Sequence, residues 1–386
     1  MLLTGLSGHC NSLAVYAGFE GPMAKRGYGQ PMKLCYLALA GVLSGAVILA
    51  GCVGKGKTGE QNVEKPQNNY KIVETHAEKE VGEQRGLHVW SVYWDSKRVT
   101  QYAHGVNRDI SGVSYFAAYF DKDKKLFIPD GVSQAREEMD QAYGDKKLTS
   151  YLSFVNDLLK ADGSASLKDT ELLYHLLSSK EARRSHINDI LKMAESERMD
   201  GIEIDYEAIR KDMNLWNLFV VFIDELYEQA ESKNLLVRVI LEPGAPVEEI
   251  DLTEGPEYVL MCYNLYGYGT SPGPKADGEF LLSMVKKAEH IPGEVGFAVS
   301  CGGFDFLTSS DGVEQITTEA AKKNQEFLGG KTVRRDEDSK AVVYNYGDDS
   351  GRDHEVWYSD NETLDFWYGI LESAGVKRLS LWRLGG

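Results

Sequence analysis

From about residue 87 onward, short β-branched or aromatic runs alternate with stretches of helical period, a pattern that parallel strands joined by helical crossovers produce. Eight runs stand out, at 88–94, 112–120, 148–155, 201–207, 236–242, 258–264, 295–300 and 378–383. Between them the clearest helix is 214–231, where Leu215, Phe219, Phe222, Ile223, Leu226 and Ala230 recur at three- and four-residue steps. A second, 360–374, puts Leu364, Trp367, Tyr368 and Leu371 on one face. Ser359 with Glu362 reads as its capping box and Gly375 as its stop. Eight strand and helix units predict an α/β (β/α)8 TIM barrel, a fold of roughly 250 residues. The surplus lies at 301–358, where two strand-like segments around Ala341 and Val356 predict a small inserted α+β subdomain between strands seven and eight. A doubly wound open sheet would require a Gly-rich turn after strand one, and Asp95-Ser96-Lys97-Arg98 is not one.

The 386 residues are 42% hydrophobic, enough for a sizeable core. Their net charge of −17 disfavours a nucleic-acid partner, which needs clustered cations. Cys10, Cys35, Cys52, Cys262 and Cys301 form no CxxC pair and no Cys/His cluster, so neither a structural metal nor a disulfide scaffold is indicated. Residues 36–50 form one uncharged run behind Lys25, Arg26 and Lys33, the layout of a signal peptide, and too short for a roughly 20-residue membrane span. Leu49-Ala50-Gly51-Cys52 then resembles the lipobox of bacterial lipoproteins, which implies a lipid on Cys52 and a place on the outer face of a bacterial cell membrane. An ordinary secretory cleavage site or an uncleaved anchor is the alternative. Residues 1–51 are thus expected to be an upstream extension and signal, with translation starting at Met1, Met23 or Met32. Residues 52–86, polar and without apolar period, read as a lipid-anchored flexible tether. The domain is then 87–386, in which Cys262 and Cys301 are expected to be buried thiols.

The run Asp200-Gly201-Ile202-Glu203-Ile204-Asp205-Tyr206-Glu207 carries the chemistry. Strand side chains alternate, so Ile202, Ile204 and Tyr206 face one way and Glu203, Asp205 and Glu207 the other. In a barrel strand the apolar face packs under the helices, which aims the acids inward, where an unpaired charge is costly. Three carboxylates at intervals of about 6.6 Å cannot all ionise easily, so a carboxyl here is suited to act as a general acid. A solvated edge strand with an acidic outer face is the plainer reading of the alternation.

This octapeptide closely resembles the D-G-x-D-x-D-x-E signature on the fourth strand of glycoside hydrolase family 18, the chitinase-like (β/α)8 enzymes. Met261-Cys262-Tyr263-Asn264 resembles that family's M-x-Y-D/N on strand six, and Trp382 in LSLWRLGG resembles its strand-eight Trp. The insertion before strand eight matches a subdomain that many members carry. The ending and the stretch 267–274 are most similar to the bacterial branch acting on cell-wall or spore-cortex peptidoglycan.

The resemblance implies a retaining, substrate-assisted glycosidase acting on β-1,4 linkages of N-acetylglucosamine-containing glycans: peptidoglycan, chitin oligomers or N-glycans. Glu207 would protonate the glycosidic oxygen, Asp205 would orient the 2-acetamido group, and Tyr263 would donate its hydroxyl to the acetamido oxygen. Glu203, Asn264, Met261 and Trp382 would contact the substrate, Trp382 as an aromatic floor. No metal and no organic cofactor are implied, and the chain is expected to be a monomer. Two departures stand out: Glu203 replaces the usual Asp, and the family's S-x-G-G on strand three is absent, Tyr151 to Asp157 standing in its place. No strand-three role is carried over, though Asn156 and Asp157 are candidates to line the cleft. A non-catalytic carbohydrate-binding lipoprotein on the same fold is the competing function, and the retained Glu207 argues against it. A scaffold for protein partners has no motif in its favour.

Overall fold

A computed structural model describes residues 86–98, 101–102, 106–309, 312–327 and 333–386. The signal-like run, Cys52 and the polar tether lie outside the described residues. Apart from three two-residue strands, the strands are β1 (Leu87–Val92), β2 (Ile110–Phe120), β3 (Thr149–Leu159), β4 (Gly201–Asp205), β5 (Leu236–Leu241), β6 (Glu257–Met261), β7 (Gly296–Ser300), β8 (Gly302–Leu307), β9 (Val313–Ile316), β10 (Val342–Gly347), β11 (Asp353–Ser359) and β12 (Arg378–Trp382). Strands β1 to β7 pair in parallel in chain order, and β12 pairs in parallel with both β7 and β1, so the sheet closes into an eight-stranded (β/α)8 barrel.

The helices are α1 (Gly131–Tyr143), α2 (Thr170–Leu177), α3 (Lys180–Ser196), α4 (Met213–Glu231), α5 (Gly278–Ala288), α6 (Thr318–Phe327) and α7 (Asn361–Ser373). Helix α4 starts where the Asp212 carboxylate accepts the Leu215 N–H. It buries Leu215, Phe219, Phe222, Ile223, Leu226 and Ala230 against the outward face of the barrel. Truncating either buried Phe to Ala would cost about 3–5 kcal/mol. Ile202, Ile204 and Tyr206 belong to this same outer core, so the apolar face of the β4 run does pack under the helices. Gly201 begins β4 because a Cβ there would lie 2.5 Å from the Tyr151 ring and 2.8 Å from the Leu236 carbonyl oxygen.

Three details differ from expectation. Strand β4 ends at Asp205, so Glu207 stands beyond it, followed by left-handed backbone at Ala208 (φ 64°) and Arg210 (φ 52°). The β5–β6 connection, 242–256, is built of turns rather than a helix, because Pro243, Pro246 and Pro256 remove backbone donors and clash with helical continuation. Helix α7 is capped by Asp360, whose side chain accepts the Thr363 N–H, and not by Ser359. The Ser359 hydroxyl instead donates to the Ser300 and Gly302 carbonyls, tying β11 to the end of β7. Gly375 does close α7, at φ 90°.

The segment between β7 and α7 is an antiparallel sheet in the order β9-β8-β11-β10, extended by a short strand at Arg334–Arg335. Val342, Tyr344, Val356 and Tyr358 pack under Ala321 of α6, and Phe304, Phe306, Val343 and Trp357 pack on the other side with Tyr266 from the loop after β6. Cys262 is buried, Cys301 is partly exposed, and both are free thiols. No helix among the described residues is long and apolar enough to cross a membrane.

Candidate active site

The inward side chains of the barrel form layers whose chemistry changes with height. In the middle layer Glu203 is fully buried. Its Oε1 accepts from Trp90 Nε1 at 2.6 Å and Ser153 Oγ at 2.5 Å, and its Oε2 accepts from Ser114 Oγ at 2.6 Å and Arg238 Nε at 3.1 Å. Arg238 continues to Glu257 and to Ser380 Oγ, so the charge of Glu203 is met by a guanidinium and three neutral donors. Expected from sequence to contact substrate, Glu203 is placed by the structure beneath the mouth, all its lone pairs engaged within the barrel.

One step toward the C-terminal mouth, Asp205 is 5% exposed and its Oδ1 is buried without a hydrogen-bond partner. Burial, then the charges of Glu207 and Glu203, lift its carboxyl well above the usual carboxylate range, against the pull of Lys168. Glu207 follows at the rim. Asn156 clamps its backbone from both sides, Oδ1 accepting the Glu207 N–H at 3.0 Å and Nδ2 donating to the Glu207 carbonyl at 3.1 Å. The next N–H, of Ala208, is donated to Glu242 Oε2 at 2.8 Å. Burial raises the Glu207 carboxyl from its ordinary value; the Lys168 ammonium, ion-paired to Oε2, pulls the other way without cancelling it. A carboxyl held this way keeps a proton more readily than a free one, which suits it to donate that proton.

The strand-six residues split by direction. Met261 and Tyr263 point into the barrel, in one cluster with Trp90, Phe116, Val155 and Ile240, whereas Cys262 faces the outer core. Asn264 is exposed and left-handed at φ 60°, a conformation asparagine tolerates well. Trp382, at the end of β12, lies edge-on to Phe116 at 5.0 Å and to Trp90 at 5.8 Å and remains partly exposed. The structure thus brings Asp205, Tyr263, Met261 and Trp382 to the same end of one barrel, with Glu207 and Asn264 above its rim.

Arg238, Lys168 and Lys275 were not singled out in the sequence, whereas Asn156 and Asp157 were named there as candidates to line the cleft. Arg238 interrupts the apolar run Leu236 to Leu241 on its inward face, a signal that a buried acid waits opposite. Asn156 and Asp157 occupy the departure from S-x-G-G; Asp157 Oδ1 accepts the Lys168 N–H at 2.7 Å. Lys168 itself left no local signal. Lys275 is buried within the loop after β6, where its Nζ donates to Ser300 Oγ and the Cys301 carbonyl and burial pushes its ammonium down to about 8. Among the described residues no cluster of three or more His, Cys, Asp or Glu side chains is placed to hold a metal ion.

The chain matches no protein-family model. Curated proteins similar to it include a putative sporulation-specific glycosylase, YdhD, of Bacillus subtilis (strain 168), 21% identical over 237 residues that make up 56% of this chain and 54% of that one. A cortical fragment-lytic enzyme of Bacillus cereus is 30% identical over 216 residues, 52% of this chain and 49% of that one. The chain spans about half the length of these curated relatives. Among solved structures, a chitinase from Chromobacterium violaceum ATCC 12472 superposes with a TM-score of 0.63 at 18% identity, covering 78% of this chain and 95% of that one. The spore cortex-lytic enzyme SleL of Bacillus megaterium QM B1551 does so with a TM-score of 0.63 at 16% identity, covering 79% and 72%. At these identities the likeness is one of fold: this chain has the barrel found in chitinases and spore cortex-lytic enzymes.

Proposed function

We propose that this chain is a retaining glycosidase of the family 18 type, acting on β-1,4-linked glycans that contain N-acetylglucosamine. The observation that carries the reading is Asp205: a nearly sealed carboxyl at the barrel mouth with an oxygen left unpaired, beside Glu207 in a setting that favours the protonated form. Such a group costs stability and fits a role toward a ligand. Relatives named as a glycosylase and a cortical fragment-lytic enzyme support the same class of chemistry.

In this mechanism Glu207 passes its proton to the glycosidic oxygen while the C1–O bond breaks. The acetamido oxygen of the sugar bonds to C1 from the opposite face, giving an oxazolinium ion. Asp205 accepts the acetamido N–H and faces the developing positive charge; Tyr263 donates its hydroxyl to the acetamido oxygen and Asn264 assists beside it. Trp382 supplies an apolar floor under the ring. The Glu207 carboxylate then takes a proton from water as the water oxygen bonds to C1 and opens the oxazolinium ring, with net retention.

Incubation with chitin oligosaccharides and with purified peptidoglycan, followed by mass analysis, should show new reducing ends, and a thiazoline analogue of the oxazolinium should inhibit. A covalent sugar on Asp205 or Glu203, trapped with a 2-fluoro glycoside while the thiazoline has no effect, would overturn substrate assistance. We further propose, on the sequence alone, a monomer held at the outer membrane face by a lipid on Cys52. Fatty-acid labelling should mark the wild type and not Cys52→Ala.

A further inference from the structure

The Lys168–Glu207 ion pair sits awkwardly with proton donation, because a cation on a carboxylate favours the form that has lost its proton. Yet the loop is built to hold it. Lys168 is left-handed at φ 52°, a conformation that costs a non-glycine residue about 1–2 kcal/mol. Its N–H is fixed to Asp157 Oδ1 at 2.7 Å, and the next N–H, of Asp169, is donated to the Asn156 carbonyl at 2.7 Å. Asp169 in turn caps α2 through the Leu172 N–H. The backbone is therefore pinned to the end of β3, and only the aliphatic stem can swing.

The charges around this ammonium are otherwise acidic: Glu207 and Asp205 from the β4 run, Glu242 from the end of β5 and Asp157 from the end of β3. Glu207 faces the same Lys168, Glu242 and Asp157. The Lys168 side chain is 33% exposed and that of Glu207 13%, so the cation lies on the solvent side of the carboxyl it holds. A glycosidic oxygen that receives the Glu207 proton must come within hydrogen-bond reach of that carboxyl. Substituents on the carbon adjacent to the one that bears the leaving oxygen then fall within reach of the ammonium.

We propose that Lys168 is a positioning and specificity residue: paired with Glu207 at rest, its ammonium is taken over by a carboxylate carried beside the leaving oxygen, as in an O3-linked lactyl ether, which frees Glu207 to face the glycosidic oxygen. This rests on the glycosidase reading above and narrows it to acidic glycans. A neutral oligomer must break the ion pair with nothing to replace it.

Three substrates decide the matter: chitotetraose, an alternating tetrasaccharide with lactyl-substituted leaving sugars, and the methyl ester of that tetrasaccharide. The wild type should prefer the free acid over its ester by about tenfold or more in kcat/KM, the scale of one charge-assisted hydrogen bond. Lys168→Met should erase that preference, and Lys168→Arg should restore most of it. On chitotetraose the alkaline limb of the kcat/KM profile should move to higher pH in Lys168→Met, because Glu207 loses its cation. Equal wild-type rates on acid and ester, or a preference that survives in Lys168→Met, would overturn the proposal. If Lys168→Met fails to fold, the acid and ester comparison on the wild type still decides. A wild type that cleaves none of the three sinks both readings; one that cleaves all three alike sinks only the role of Lys168.

Discussion

Glu203 and Asp205 sit two residues apart on the same face of β4, and the barrel treats them in opposite ways. The cause is the register. Ser153 of β3 and Arg238 of β5 are the direct neighbours of Glu203, both donors. One level higher, Asp205 has Val155 beside it on β3, and the next inward residue on β5 is Ile240. The lower carboxylate is therefore compensated by its own sheet, whereas the upper one has only hydrocarbon on the adjacent strands and keeps an oxygen unpaired. A buried carboxylate with four partners is accounted for by the fold, whereas one left short is not, and that is the difference on which the proposed role of Asp205 rests.

The sharpest way to break this comparison is at the mouth, the end that the proposed mechanism gives to the glycan. Glu207→Gln keeps shape but has no proton to give, so turnover should fall by about 10²–10⁴-fold while circular dichroism and glycan binding persist. Undiminished hydrolysis would remove Glu207 from the chemistry.

At the other end, Arg238→Met should leave Glu203 buried without its counter-charge and destabilise the protein by about 3–5 kcal/mol in denaturant unfolding. Adding Glu203→Gln should recover a large part of that loss, because the uncompensated charge then disappears. A single Arg238→Met with unchanged stability would show that the three neutral donors suffice. Ser153→Ala probes the same layer more gently, removing one hydrogen bond to a charged group, with an expected loss of about 1.5–3 kcal/mol and an unchanged pH profile of turnover.

Much of this arrangement was legible before the structure. Alternation in Gly201 to Glu207 assigned the acids to the inner face, and the branched runs located the strands, because burial on both faces of a parallel sheet selects such residues. The 242–256 connection looked like part of a repeating unit, but Pro243, Pro246 and Pro256 leave 247–255 as its longest stretch free of proline, which already argued against a long helix. Ser359 and Asp360 are both capping residues, and the choice between them depended on β11 drawing Ser359 into hydrogen bonds with β7. Lys168 was invisible for a different reason. It meets Glu207 across 39 positions of sequence only because a left-handed residue turns the loop after β3 over the mouth. Contacts made by loop geometry between distant residues leave no periodic trace.

The smallest effect is also the most direct measure of what the upper layer costs. Because the Asp205 carboxyl is raised in the folded protein, the native state binds more protons than the unfolded chain from the ordinary Asp range upward to that raised value. Stability from this group is therefore present at low pH and is lost as pH rises through its folded pKa. Asp205→Asn cannot ionise, so it should be more stable than the wild type at pH 7, by about 0.5–2 kcal/mol. That gain should shrink as pH falls and vanish below the ordinary Asp range, while turnover stays severely impaired at every pH. Glu203→Gln provides the contrast: an amide nitrogen among four donors leaves hydrogen bonds unmade, so it should lose stability at pH 7 where Asp205→Asn gains it. Unfolding curves for the two variants between pH 4 and 8 test this, and a matching sign for both would mean that the two layers of the barrel do not differ as their partners imply.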